Sequence, residues 1–360
     1  MTPGKLYKMG LLLLTAGLLA SGCAMETKQE AQLRLNGKTT QGGTGAATAA
    51  ACPEAGKLTS VQFYVPSEKE NSFSIIDVVS GKPVCKVPVS EAPSTVVFSS
   101  TMREAYVANM NSSTVSIVNT QTLQVEKEVP VGPMPHGMAL SPDNKTLYVA
   151  AVADQFIYTI DTKERKEAGT IDLGTGAKTN YLALFGSRLY VSDHENNKVY
   201  AVNTKTKQVE LTLNTGAVPR AVKLSEDGKT LYVPTAKGKT LEVYNTENGS
   251  LVSKIDVVDG ATDVAITEDG STAIVTGMEG SSVAFVDLKA NKVVKTLTGL
   301  SGARHISFNR QQSKAYVTLS GTDEVAVIDT AAQAEIERIK VGAIPHGIQM
   351  KALPGIGGSC

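Results

Sequence analysis

Tyr106-Val107-Ala108-Asn109 is one copy of a short apolar motif that returns along most of the chain. Its tyrosine position recurs at a constant step of 42 residues, with no insertion between copies. The seven copies of that position are Tyr64, Tyr106, Tyr148, Tyr190, Tyr232, Ile274 and Tyr316. A second marker, the acidic or amide residue that ends the next apolar run, keeps the same step at Asp77, Asn119, Asp161, Asn203, Asn245, Asp287 and Asp329. Two independent markers in one register indicate a structural repeat.

Each repeat holds four short apolar stretches separated by polar turns such as Pro142-Asp143-Asn144-Lys145. We name the corresponding strands a to d in chain order. Four strands in a repeat of about 40–45 residues are typical of one β-propeller blade, which buries its faces only against neighbouring blades. The sequence therefore predicts an all-β, seven-bladed propeller of 42-residue, four-stranded blades over residues 61–352. The recurring tyrosines are expected to pack in the core rather than to form a binding surface.

The two ends of the repeat region complement each other. The first repeat begins at strand b near Val61, with no strand a before it. The segment Val341–Met350 repeats Val131–Leu140, which contains strand a, and then the pattern stops. We therefore expect the C-terminal strand to complete the first blade, because closure removes the free sheet edges that invite aggregation.

The chain begins with features of export. Lys5 and Lys8 precede an apolar run too short to span a bilayer, so residues 1–22 are predicted to be a signal peptide. The following Leu19-Ala20-Ser21-Gly22-Cys23 resembles the bacterial lipobox, which implies lipidation of Cys23; the alternative is an ordinary signal peptide with an unrelated cysteine. Since Ala24 rather than Asp follows, the resemblance implies the outer membrane in a Gram-negative host. Residues 23–60 are predicted to be a flexible tether and residues 353–360 a C-terminal tail.

The repeat motifs point to a known family. Tyr106-Val107-Ala108-Asn109, Val325–Thr330, Pro130–Pro135 and Ser225–Lys229 resemble the YVTN-type, YncE-like β-propeller repeat. That family has relatives among lactonases and haem-d1-binding propellers, so the resemblance implies a fold and leaves the chemistry open. The absence of Trp from the sequence excludes the tryptophan-marked propeller repeats, and no Cys-x-x-Cys-His sequence for c-type haem is present.

Charge restricts the partners. The chain has 35 basic and 35 acidic residues, which argues against nucleic acid as a partner. The expected partners are a membrane, through the lipid anchor, and an envelope protein, a polymer or a small anionic ligand. We expect a monomer.

Counting 42 residues at a time places a polar residue before strand a of every blade. Around the ring these are His346, Ser94, His136, Lys178, Arg220, Thr262 and Arg304. Five of the seven carry or can acquire positive charge, and His305 adds to them, so they predict a basic channel mouth that binds an anion. The alternative is a ring of solvated loop residues.

His136 and His346 are the first choice for a metal or haem ligand, although no metal site is predicted and no cofactor is expected unless a haem-type tetrapyrrole binds here. His194, beside Asp193 and Glu195, is a candidate acid or base.

Three cysteines remain after Cys23. By topology Cys52, Cys85 and Cys360 all fall at one face of the first blade. The favoured disulfide joins Cys52 to Cys360, with Cys85 as the other candidate partner of Cys360 and free thiols as the alternative.

Two function classes follow. The first is a membrane-tethered binding or interaction module, which is favoured because the mouth has no evident nucleophile and no close carboxylate pair. The second is a lactonase-like enzyme or haem-d1-type propeller that uses the same mouth, with Asp193, Glu195, Asp263 and Glu279 as scattered acidic candidates.

Overall fold

A computed structural model describes Cys52 and residues 60–352 of the protein. These residues form seven four-stranded antiparallel sheets and no helix, so none of them forms a helix able to cross a membrane. The predicted seven-bladed propeller is confirmed. The predicted signal peptide, Cys23, most of the tether and the C-terminal tail with Cys360 lie outside the described residues.

The strands follow the repeat. Blade 1 contains β28 (Gln349–Lys351), β1 (Gln62–Ser67), β2 (Ser72–Asp77) and β3 (Lys82–Pro88). Blade 2 contains β4 (Pro93–Phe98), β5 (Glu104–Asn109), β6 (Thr114–Asn119) and β7 (Gln124–Pro130). Blade 3 contains β8 (Pro135–Leu140), β9 (Thr146–Ala151), β10 (Phe156–Asp161) and β11 (Lys166–Asp172). Blade 4 contains β12 (Thr179–Phe185), β13 (Arg188–Asp193), β14 (Lys198–Asn203) and β15 (Gln208–Asn214).

The remaining three blades repeat this order. Blade 5 contains β16 (Lys223–Leu224), β17 (Thr230–Thr235), β18 (Thr240–Asn245) and β19 (Leu251–Asp256). Blade 6 contains β20 (Ala261–Ile266), β21 (Thr272–Gly277), β22 (Ser282–Asp287) and β23 (Lys292–Thr298). Blade 7 contains β24 (Ala303–Phe308), β25 (Lys314–Leu319), β26 (Glu324–Asp329) and β27 (Ala334–Lys340).

The C-terminal strand closes the ring as the repeat pattern predicts. β28 pairs antiparallel with β1, matching Tyr64 with Gln349. Around it, the backbone N–H of His346 donates to the Pro66 carbonyl at 2.9 Å, and that of Gly347 donates to the Ser94 carbonyl of blade 2 at 2.8 Å. The segment that contains β28 thus joins blade 1 to blade 2, and β28 covers the inner edge of β1.

The core lies between the blades. The tyrosines at the repeat position are buried, and Tyr64, Tyr106, Tyr190 and Tyr316 are at most 2% exposed. At the junction of blades 7 and 1, the Tyr316 ring packs on Phe63 with ring centroids 4.3 Å apart. These aromatic side chains are packing elements, as the sequence predicts.

The cysteine pairing differs from the favoured prediction. Cys52 bonds to Cys85 of β3, not to Cys360. The buried Cys52 packs in the apolar cluster between blades 1 and 2, beside Tyr64 and Val87, and this packing brings it to the outer strand of blade 1. A bridge of this type typically contributes about 2–4 kcal/mol to the free energy of unfolding. Topology placed the three cysteines at one face but could not rank their distances.

Candidate functional site

The channel is shaped by a β-bulge in the inner strand of the blades. In β20, for example, Ala261 pairs with Gly277 and Val264 with Val275, so β20 has one residue more than its partner between these pairs. The same irregularity occurs in β4, β8, β12 and β24. A bulge re-aims side chains locally, and here it sets two consecutive residues of each inner strand at the channel.

These residues form two rings. The upper ring, nearer the loop that precedes the inner strand, consists of Ser94, His136, Asn180, Arg220, Thr262, Arg304 and His346. The lower ring consists of Thr95, Gly137, Tyr181, Ala221, Asp263, His305 and Gly347, and all seven line one cavity.

One member of the predicted ring is wrong. Asn180, not Lys178, occupies the upper ring in blade 4, because Thr179 there pairs with Asp193 as Pro135 pairs with Ala151 in blade 3. The inner strand of blade 4 is shifted by two residues relative to the 42-residue count. Lys178 lies in the preceding loop, where its Nζ donates to the Ala153 carbonyl at 2.9 Å. The shift also places Tyr181 in the lower ring.

The lower ring contains a hydrogen-bonded chain from three blades. Tyr181 Oη lies 3.0 Å from His305 Nε2, and His305 Nδ1 lies 2.9 Å from Asp263 Oδ2. Because the carboxylate accepts, His305 carries its proton on Nδ1, and Nε2 accepts from the tyrosine hydroxyl. Burial lowers the pKa of His305 although Asp263 acts in the opposite direction, so the imidazole is neutral near pH 7. Burial likewise raises the pKa of Tyr181, which keeps its proton.

Asp263 is the charged member of this chain. It is 3% exposed, and burial by itself raises the pKa of its carboxyl. The nearby Lys223 ammonium, the hydrogen bond from His305 and the backbone N–H of Val264 outweigh burial, so the pKa lies below its usual range. Lys223 Nζ is 3.8 Å from Asp263 Oδ1, and its side chain is 47% exposed. The lysine therefore compensates the buried carboxylate and still reaches solvent.

Hydroxyl groups on the neighbouring strand hold the three side chains in place. The backbone N–H groups of Tyr181, Asp263 and His305 each donate to a strand-b hydroxyl at 3.0 Å. The acceptors are Ser192, Thr276 and Thr318, respectively. The bulge leaves these N–H groups without a ladder partner, and the hydroxyls satisfy them.

These hydroxyls are a sequence signal that the motif count did not use. The third motif residue is Ser or Thr in blades 4, 6 and 7, as in Tyr190-Val191-Ser192, and it is Ala or Pro in the other four blades. The three blades with the hydroxyl are those whose lower-ring residue takes part in the chain. Glu68 and Tyr181 were missed altogether, and Asp263 was only one of several scattered acids.

The upper ring contains a second network. His136 Nε2 lies 2.8 Å from His346 Nε2, and Glu68 Oε1 lies 2.6 Å from both His346 Nδ1 and Arg304 Nη1. Since Glu68 accepts from His346 Nδ1, His346 Nε2 is the acceptor and His136 Nε2 the donor. Burial holds the pKa of both histidines well below the usual range, and Arg304 adds to that effect. Glu68 neutralises Arg304, so this half of the predicted basic ring has no excess charge.

The cavity below the upper ring has a volume of about 400 Å³. Its wall continues from the lower ring along the inner strands to Lys223, Ser307 and Gln349, of which Lys223 and Gln349 are exposed. Small-molecule sites in proteins typically have volumes of about 300–1,000 Å³. The cavity is therefore of a size to hold a small ligand beside a hydrogen-bonding layer and one accessible cation.

The histidines do not form a ready-made metal or haem ligand set. Within residues 60–352 and Cys52, no three His, Cys, Asp or Glu side chains are arranged to hold a metal ion. His136 and His346 use their Nε2 atoms on each other, and His305 uses its Nε2 on Tyr181. An axial bond from any of these three Nε2 atoms to a tetrapyrrole iron would have to break one of these hydrogen bonds, so ligation through Nε2 does not fit the arrangement.

Comparisons with known proteins agree on the fold. A family model described as a YncE-like beta-propeller matches residues 44–353. No curated protein matches the chain by sequence. Among solved structures, the periplasmic gluconolactonase PpgL of Pseudomonas aeruginosa superposes with a TM-score of 0.70 at 17% identity, covering 82% of this chain and 100% of that one.

Two further solved structures with a similar fold are named for other activities. The hydrazine synthase of Kuenenia stuttgartiensis gives a TM-score of 0.68 at 18% identity, over 82% of this chain and 99% of that chain. The dihydro-haem d1 dehydrogenase NirN gives 0.59 at 15% identity, over 80% of this chain and 74% of that chain. At these identities the likeness shows the fold alone.

Proposed function

The chain belongs to the YncE-like β-propeller family, and we propose that it is a non-enzymatic binding module of the cell envelope that holds a small, polar, anionic ligand in its channel cavity. The proposal rests on the cavity of about 400 Å³, whose wall contains both Lys223 and the hydrogen-bonded chain of Tyr181, His305 and Asp263. Lys223 supplies a cation that its long contact with Asp263 leaves accessible. The hydroxyl, imidazole and amide groups around it favour a ligand with several hydroxyl groups.

The gluconolactonase with a similar fold suggests a first ligand to test, the sugar acid D-gluconate. We expect Lys223→Gln to weaken its binding about 10-fold, since each 1.4 kcal/mol of lost interaction is one factor of ten in Kd. Lys289→Gln is the matched control, because Lys289 is exposed at the turn between β22 and β23. Isothermal titration measures both. Equal affinity of the wild type and Lys223→Gln, or no binding by the wild type, would count against a gluconate site at Lys223.

One observation favours lactone hydrolysis as a second candidate. If a substrate displaces the Tyr181 hydroxyl, His305 Nε2 becomes a free base whose tautomer Asp263 fixes. In that case it would take a proton from water as the water oxygen attacks the lactone carbonyl, and it would return the proton to the ring oxygen as the ring C–O bond breaks, which gives a hydroxy acid and the neutral imidazole. For an enzyme of this kind, His305→Gln should lower kcat/KM for D-glucono-1,5-lactone by about 10²–10⁴-fold. Hydrolysis by the wild type at the buffer rate would leave the binding module as the better reading.

The proposed location rests on Cys23. Acyl chains on this cysteine would tether the propeller, because each buried methylene adds about 0.8 kcal/mol of membrane affinity. We expect the wild type to incorporate a labelled fatty acid and to sediment with membranes, and Cys23→Ser to lose both properties. A wild type that is released without label would show that the leader is an ordinary signal peptide.

A further inference from the structure

Arg220 differs from the other arginine of the upper ring. Arg304 is paired with Glu68 at 2.6 Å. Arg220 makes no side-chain hydrogen bond or ion pair with any residue in the described part of the chain, although it is half-buried. It does not line the cavity, whereas Lys223 on the same inner strand does. A partly desolvated guanidinium with no carboxylate beside it is a binding element for an oxyanion.

Two imidazoles near Arg220 have unused acceptor atoms. His136 is 5% exposed and donates through Nε2 to His346, so its Nδ1 holds a lone pair, and this atom is buried without a partner. His194, in the loop between β13 and β14, also has a buried Nδ1 without a partner. Burial lowers the pKa of His194 and the backbone at Lys178 raises it, as an acceptor facing the other ring N–H does, so Nδ1 is the acceptor of the neutral ring. A buried acceptor without a donor is unfavourable, so both atoms favour a donor from outside the chain.

Position and electrostatics place these groups together. His136, Asn180 and Arg220 are consecutive members of the upper ring, and His194 belongs to the same blade as Asn180. Burial contributes most to the lowered pKa of His194, and the positive charge of Arg220 lowers it more strongly than either Glu195 or Asp193 alone raises it. Arg220 also lowers the pKa of His136, although burial and His346 contribute more. Asp193 is itself hydrogen-bonded to Asn196 and Tyr200.

We infer that Arg220, His194 and His136 form a second binding site, on the loop side of the upper ring, for a 2-hydroxycarboxylate. The guanidinium binds the carboxylate through paired N–H donors, and the hydroxyl donates to a free imidazole Nδ1. With both imidazoles neutral, Arg220 supplies the positive charge of the site, and the carboxylates of Asp193 and Glu195 next to His194 disfavour a second negative charge on the ligand, so the site matches a monoanion better than a phosphate dianion. The site does not depend on the proposed cavity ligand, because Lys223 is not part of it.

The test is a titration of the ¹⁵N-labelled protein with L-lactate, observed at the imidazole nitrogens. We expect the His194 Nδ1 resonance to shift, since that atom gains a donor. Propionate, which lacks the hydroxyl, should bind about 10-fold more weakly than lactate. Arg220→Gln should weaken lactate binding at least about 10-fold and Arg220→Lys less, whereas Lys289→Gln, at an exposed lysine outside both sites, should leave it unchanged. Circular dichroism verifies that each variant is folded.

Three results would overturn this inference. Lactate that shifts His305 but not His194 occupies the cavity instead, which contradicts the second site and leaves the proposed function standing. Equal affinity for lactate and propionate removes the role of the free Nδ1 atoms. Inorganic phosphate that binds more tightly than lactate contradicts the monoanion class.

Discussion

Deletion of residues 343–360, which removes β28, is expected to leave a chain that is unfolded at room temperature and shows no cooperative unfolding transition on heating. The deletion strips the inner edge of β1 and removes Ile348 and Met350 from the cluster that holds Phe63 and Tyr316. It also breaks the backbone contacts to Pro66 and Ser94 on either side of the junction. An exposed, flat strand edge pairs with other chains, so aggregation should accompany the loss of structure. Differential scanning calorimetry and light scattering measure the two effects.

A point substitution at the same junction provides a second measure. A Cβ on Gly347 would come within 2.7 Å of the Ser94 carbonyl oxygen, and this atom belongs to the backbone of the next blade. Gly347→Val should therefore destabilise the fold by at least the about 1–3 kcal/mol typical of an overpacked core. Gln349→Ala is the control, because the Gln349 side chain is exposed. A truncated chain that melts within a few degrees of the wild type would contradict closure by β28.

Lowering the pH is expected to destabilise the protein at pH values well above those at which its carboxylates take up protons. His136 and His346 are buried and neutral, and burial holds the pKa of both well below the ordinary value. In the unfolded chain they take up protons near about pH 6.5. Because the folded state takes up these protons only at lower pH, protonation in this range favours the unfolded chain. The stability present above the unfolded pKa is therefore lost as the pH falls. Between about pH 7 and about pH 5, each histidine should lower the free energy of unfolding by about 2 kcal/mol, which is about 4 kcal/mol for the pair.

Urea unfolding at several pH values between these limits measures the loss. Replacement of both residues by Gln should flatten the profile, whatever it does to stability at neutral pH. His305 adds to the slope in the wild type, since burial lowers its pKa too. A wild-type free energy of unfolding that is constant from about pH 7 to about pH 5 would contradict a buried, neutral histidine pair.

The repeat period predicted nearly all of the fold, for a physical reason. The repeat length is constant, so Tyr64 and its counterparts mark the same place in every sheet, and the strand expected within Val341–Met350 had only the inner edge of the first blade to pair with. The disulfide was harder to predict because it depends on distances at a blade surface. Cys52 lies beside Cys85 because it packs in the apolar cluster between blades 1 and 2, and the spacing of the cysteines in the sequence does not indicate this packing.

The site was only partly predictable. His136, Arg304, His305 and His346 do meet in the channel, but constant spacing concealed the shift in blade 4. There the turn between β12 and β13 is reduced to Gly186-Ser187, while the loop before β12 is two residues longer, so the total remains 42. The count therefore selected Lys178 and passed over Tyr181. Glu68 was invisible for another reason, because its role depends on a loop contact between blades.

A crystal structure with D-gluconate at a saturating concentration tests the central proposal, that the channel cavity holds the ligand. The account predicts the gluconate carboxylate within hydrogen-bond distance of Lys223 Nζ, with ligand hydroxyl groups facing the Tyr181–His305–Asp263 chain. Gluconate bound elsewhere on the propeller, with the cavity filled only by water, would contradict it.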